Sequence, residues 1–196
     1  MTPAQWRTLA APLLGDGWRL ARLLAYRVPV GWLVDGLLAE KSGSGGFYLW
    51  QVQAPLYVPT TVLDLSWSAR VGGGSTVYEP GDVAGAAIEA AAAQVVAISR
   101  TREGVQLAPP SGAGNVLMQE ARAYALVLGD EVDSAMEVLD QVGSHRARAR
   151  YQWEHDFFAR VALVRGLLEA GEIRRVLDLL SSWREGSAAA LGLELA

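Results

Sequence analysis

The chain has no cysteine, only two histidines and a single lysine among its 196 residues. Without cysteine there is no disulfide framework, no thiolate-bound zinc, no cysteine-held iron–sulfur cluster and no thiol nucleophile. The two histidines, His145 and His155, leave little for metal binding or acid–base work. Ten residues apart on one helix, they would lie about 15 Å apart along its axis, too far to share one ion. No metal and no cofactor is therefore expected. Long hydrophobic runs are missing as well. The longest uncharged run, between Lys41 and Asp64, contains Gln51, Gln53, Pro55, Pro59 and the Ser/Gly stretch Ser42–Gly46, which a spanning helix does not tolerate. The segment Val83–Ser99 is mostly alanine, carries Glu89 near its middle and is short for a bilayer core of about 30 Å. It reads as a buried soluble helix. Met1 to Arg7 lack the basic start, apolar stretch and cleavage site of a secretion signal. The expectation is a cytoplasmic protein with no membrane contact. The bias of arginine over the lone Lys41 fits a GC-rich, bacterial genome better than a mechanism.

Hydrophobic residues make up 51% of the chain and charged residues 19%, with seven Trp, six Tyr and three Phe. A chain this long buries about 70% of its unfolded surface, so this composition means a packed core and excludes disorder. The formal net charge of −4 argues against bulk attraction to nucleic acid or anionic membrane.

The hydrophobic period changes along the chain from two to about 3.6. Between the two regimes lies Ala108-Pro109-Pro110-Ser111-Gly112-Ala113-Gly114, which has linker composition. The expected organisation is an α+β unit over residues 1–107, a linker over 108–114 and a helical subdomain over 115–196. The first unit opens with a helix capped by Thr2, with Pro3 at its first turn and Pro12 ending it. Alternation then predicts strands over Trp18–Val28, Gly31–Ala39, Phe47–Val52 and Leu63–Val71, although Arg22 interrupts the first. Ser42–Gly46 is a hairpin loop, and a helix runs from Gly81-Asp82 to about Ser99. This makes a helix, a four-stranded antiparallel meander and a helix. The second unit reads as two helical hairpins: a helix capped by Asn115 to about Leu128, one to about Val142, one from about Ala147 to Ala170, and one over Ile173–Trp183.

The two hairpins echo each other. Leu126-Val127-Leu128-Gly129-Asp130 is followed by Ala135 and Leu139, and Leu168-Glu169-Ala170-Gly171-Glu172 by Val176 and Leu180. Over residues 115–184 this resembles helical-hairpin repeats of the tetratricopeptide kind, and the resemblance implies a surface for protein or peptide binding. The chain departs from the family's period of about 34 residues, since 42 positions separate Gly129 from Gly171, and it has two units only. An ordinary helical subdomain is the alternative.

The chemistry-bearing motifs are few. Neither Gly43-Ser44-Gly45-Gly46 nor Gly72-Gly73-Gly74 is followed by the Lys-Ser/Thr of a phosphate-binding loop, and both suit turns. No serine occupies a nucleophile elbow. His155 is flanked by Glu154 and Asp156, but adjacent helical residues point in different directions, so neither orients it. Arg146 and Arg150, if both helical, share a face that would grip a phosphate or carboxylate, with Tyr151 and Trp153 following. The acidic run Asp130, Glu131, Asp133, Glu137 and Asp140 would neutralise them instead, within the hairpin or between molecules. Five of the tryptophans fall in the first 70 residues. Most suit a core, but Trp32 and Trp50, with Tyr48, lie on strands apolar on both faces. One face packs on the helices, which leaves the other for the C-terminal helices or a partner. The leading expectation is a protein-interaction module that binds another protein or a second copy of itself. Its rival is an enzyme or small-ligand binder with a site in the cleft between the halves, lined by Tyr26, Arg27, Arg150 and His155.

Overall fold

Residues 1–101 and 115–195 are described by a computed structural model, and the linker expected at 108–114 lies outside them. The chain opens with helix α1 (Pro3–Ala10). Thr2 Oγ1 accepts the Gln5 amide while the Gln5 side chain accepts the Thr2 amide, a reciprocal cap for two otherwise orphaned donors. Pro12 turns the helix into a single 3-10 turn over Ala11–Leu13.

A five-stranded antiparallel meander follows, in the order β1-β2-β3-β4-β5. Its strands are β1 (Trp18–Ala21), β2 (Leu24–Arg27), β3 (Leu33–Lys41), β4 (Phe47–Pro55) and β5 (Ala69–Arg70). The α+β class and the order of elements are as expected, and the strand count is five rather than four. The single strand expected over Trp18–Val28 is a hairpin. Arg22 takes a left-handed φ of 54° at its turn, which accounts for the charge that broke the apolar face. The strand expected over Leu63–Val71 is mostly not one. Asp64 accepts the Ser66 amide at 2.8 Å and starts a 3-10 turn over Leu65–Trp67, leaving two paired residues. A short side chain that bonds its own backbone overrides a clean alternation here. β3 and β4 pair along their whole length, from Leu33 opposite Pro55 to Lys41 opposite Phe47. Gly36 lies so close to the Ala25 carbonyl and the Tyr26 backbone of β2 that a Cβ there would collide with both.

Helix α2 (Asp82–Thr101) places Ala84, Ile88, Ala91, Ala92 and Val95 on one buried stripe. With Trp6 and Ala10 of α1 they cover one face of the sheet, formed by Ala25, Leu37, Ala39, Phe47 and Leu49. Small alanines let α2 approach this face closely. The other face carries Leu24, Tyr26, Val34, Val52 and Ala54, and it is covered by Ala188 and Leu193.

The remaining helices are α3 (Val116–Leu128), α4 (Val132–Gly143), α5 (Gln152–Glu169) and α6 (Ile173–Leu191). Asn115 caps α3 by accepting the Leu117 amide at 3.0 Å. Gly129 ends α3, and Gly171, with φ +71°, follows α5. Two boundaries differ from expectation. α5 begins at Gln152 and not near Ala147, because the Glu154 carboxylate accepts the Arg150 and Tyr151 amides at 2.6 and 2.9 Å and fixes the start there. α6 continues to Leu191 because Ser187 and Ala188 are buried.

By their contacts the described residues form two compact units: 1–56, 60–101 and 187–195 in one, and 57–59 with 115–186 in the other. In the second, Glu120 of α3 is fully buried and paired bidentately with Arg160 of α5, Nε–Oε1 at 2.7 Å and Nη2–Oε2 at 3.0 Å. The Tyr124 hydroxyl donates to the same carboxylate at 2.8 Å. Burial, and then the adjacent Glu120 charge, push the Tyr124 phenol well above its ordinary value. In the unfolded chain this phenol ionises near pH 10, whereas in the folded chain it stays neutral. The stability it contributes is therefore complete below about pH 10 and is lost above it, by about 1.4 kcal/mol per pH unit. Denaturant titrations at rising pH should show this slope, and Tyr124→Phe should remove it. An unchanged slope in Tyr124→Phe would contradict it.

Candidate functional site

The hairpin loop Ser42–Gly46 sets Glu40 opposite Tyr48 across β3 and β4, and β5 sets Arg70 opposite Trp50. Alternation along β4 puts Tyr48 and Trp50 on one face, two residues apart. The Arg70 guanidinium lies over both rings, 3.9 Å from the Tyr48 centroid and 4.6 Å from that of Trp50. The Trp50 indole N–H donates to Glu40 Oε2 at 2.8 Å, and Arg70 Nη2 lies 3.5 Å from the same oxygen. Arg70 Nη1 donates to the Gly74 carbonyl, in the glycine loop that follows β5. Four side chains thus form one locked, partly exposed cluster. Trp50 packs at the margin of the second core, while Glu40 and Arg70 keep about 42% and 28% of their side-chain surface in solvent. Each cation–π contact contributes about 0.5–2 kcal/mol, enough to hold the rotamers without a partner.

Of the three aromatic residues singled out, Tyr48 and Trp50 are brought together and Trp32 is not. Trp32 precedes β3, and its carbonyl accepts the Leu56 amide at the opposite end of that strand from Trp50, roughly 20 Å away at strand rise. Glu40 and Arg70 escaped the sequence reading. The Ser42–Gly46 loop alone would have placed Glu40 beside Tyr48, but the false strand at 63–71 hid the position of Arg70.

On the opposite face of the sheet, a cavity of about 190 Å³ is lined by Asp35, Gln51, Gln53, Trp67, Val95 and Ile98. The Gln53 amide donates to Asp35 Oδ1 at 3.4 Å. This polar floor lies on the helix-covered face, beyond the apolar residues packed against α2.

The cleft residues fall in different units. Tyr26 is only 2% exposed, and its hydroxyl accepts the Glu194 amide at 3.2 Å. Arg27 lies over the Trp18 ring, with Cζ 5.7 Å from its centroid. His155 is exposed on α5. Arg146 and Arg150 do not share a helical face: Arg146 sits in a 3-10 turn, Arg150 precedes α5, and Ala149 between them is extended. Among the described residues no ion pair joins either arginine to the acids of α4, and Asp140 pairs with Arg165 of α5 instead. No group of three or more His, Asp or Glu side chains able to hold a metal occurs among the described residues. None of their helices is long and apolar enough to cross a membrane.

Comparison with family models, with curated proteins and with solved structures gives no significant match.

Proposed function

We propose that this is a cytoplasmic bacterial protein-interaction module, of the immunity-protein, secretion-chaperone or adaptor type, acting by binding and not by catalysis. The single observation that carries this reading is the locked Tyr48–Trp50–Arg70–Glu40 cluster at the β3–β4 hairpin end of the sheet. Tyr, Trp and Arg are the residue types that dominate binding energy at protein interfaces. Rotamers already fixed by stacking and hydrogen bonds lose little freedom when a partner docks, so more of the contact energy appears as affinity. The resemblance of residues 115–184 to tetratricopeptide-like hairpins supports the same class of function.

The cavity at Asp35 favours a second reading, a small-ligand binder whose site lies within the first unit. The two are separated by placing a photo-crosslinking benzoyl-phenylalanine at position 48 and irradiating in lysate of the native host. The binding-module reading expects one protein adduct that a probe at the exposed Ala93 of α2 does not give. Equal labelling from both positions overturns it. A metabolite that raises the melting temperature of the unmodified chain but not of Asp35→Asn would establish the second reading.

A further inference from the structure

The surface around α4 carries acid at one end and base past the other; Asp140 on its solvent face pairs with Arg165 and Glu154 lies beside Arg150, while among the described residues no ion pair joins Asp133, Glu137, Arg146 or Arg150. Asp130, Glu131, Asp133 and Glu137 are exposed at and beyond its N-terminal half. Asp133 and Glu137 are four residues apart and share a face. Past its C-terminus, Arg146 and Arg150 are exposed, and Tyr151 and Trp153 expose 63% and 55% of their surface. Acid and base sit at opposite ends of a helix about 18 Å long. Such a stripe is self-complementary under a two-fold axis. Two copies laid antiparallel bring Arg146 and Arg150 of each against Asp133 and Glu137 of the other, and both ends are satisfied by one operation. The exposed rings supply the apolar contact that ion pairs alone lack.

We infer that this surface is a homodimer interface, in which the α4 helices of two copies pair antiparallel through their acidic and basic ends. A single-stranded nucleic acid also fits arginines beside exposed rings, but it leaves the acidic half of the stripe unmatched, and the net charge of −4 opposes it.

The test uses the full chain and two charge-reversed variants, Arg146→Glu/Arg150→Glu and Asp133→Arg/Glu137→Arg, in sedimentation equilibrium at low salt. The wild type is expected to dimerise, with association weakening as salt rises. Each variant alone sets like charges face to face and should associate at least about tenfold more weakly. Mixed in equal amounts, the two variants should recover association as a 1:1 heterodimer, because each altered end then meets its complement. All these positions are exposed, so circular dichroism and melting temperature should be unchanged. A wild type that stays monomeric at 200 µM would overturn the inference. So would variants that associate like wild type, or a mixture that remains monomeric. Binding of a short single-stranded oligonucleotide by a monomeric wild type would assign the patch to nucleic acid instead.

Discussion

Arg160→Met is expected to destabilise the helical unit by about 3–5 kcal/mol, the cost of breaking a buried ion pair from one side. Glu120 is 0% exposed, and among the described residues this substitution leaves its carboxylate only the Tyr124 hydroxyl as a side-chain partner. A buried carboxylate stripped of its counter-ion keeps its desolvation cost without the ion pair that offset it. Removing all three polar groups together, as Glu120→Leu/Tyr124→Phe/Arg160→Met, should bring stability back to within about 2 kcal/mol of wild type, since replacing a whole buried network by apolar groups is often neutral. Trp183, whose ring centroid is 5.7 Å from that of Tyr124, reports the transition by fluorescence. A single variant no less stable than the triple one would show that the network contributes nothing.

Trp6→Ala should cost the sheet unit about 3–5 kcal/mol. The indole is fully buried between α1 and the sheet and meets Phe47 edge-on at 6.2 Å. Its removal opens a cavity bounded by the α2 stripe and by strands that pair along nine residues, so collapse around it is limited. The indole N–H has no acceptor among the described residues. Trp6→Phe, which deletes that buried unpaired donor, should be markedly milder than Trp6→Ala, because an unsatisfied donor itself costs about 1–3 kcal/mol. Shifts in urea midpoint measure both. A loss below about 1 kcal/mol for Trp6→Ala would place this residue outside the essential core.

Most of the fold was legible because its signals are local. Thr2, Asn115, Gly129 and Gly171 mark helix ends by chemistry that does not depend on the rest of the chain. The pattern at Phe47–Val52 and the Ser42–Gly46 loop identify the central hairpin for the same reason. The errors arose where a local hydrogen bond or a distant surface decides. Asp64 capping its own turn defeated the most regular alternation in the chain, and burial of Ser187 and Ala188 prolonged α6 beyond its sequence signal. Arg22 was visible as an interruption, and its meaning as a turn appears only with the left-handed backbone. The candidate site was half legible. Tyr48 and Trp50 follow from composition and strand period, whereas Arg70 reaches them through a strand only two residues long, which periodicity cannot register.

The cluster around Arg70 is the proposed binding surface of this protein. The most direct measurement is the affinity of the partner crosslinked at position 48 for the wild type and for Tyr48→Ala/Arg70→Ala, by titration calorimetry at matched salt. These side chains are partly exposed, so the variant should lose only about 1–2 kcal/mol of stability, and its melting temperature should fall by roughly 2–8 °C. Affinity should fall by about 30-fold or more, the loss of at least one hot-spot residue. Equal affinity for the folded variant and the wild type would contradict the account and move the binding surface elsewhere on the molecule.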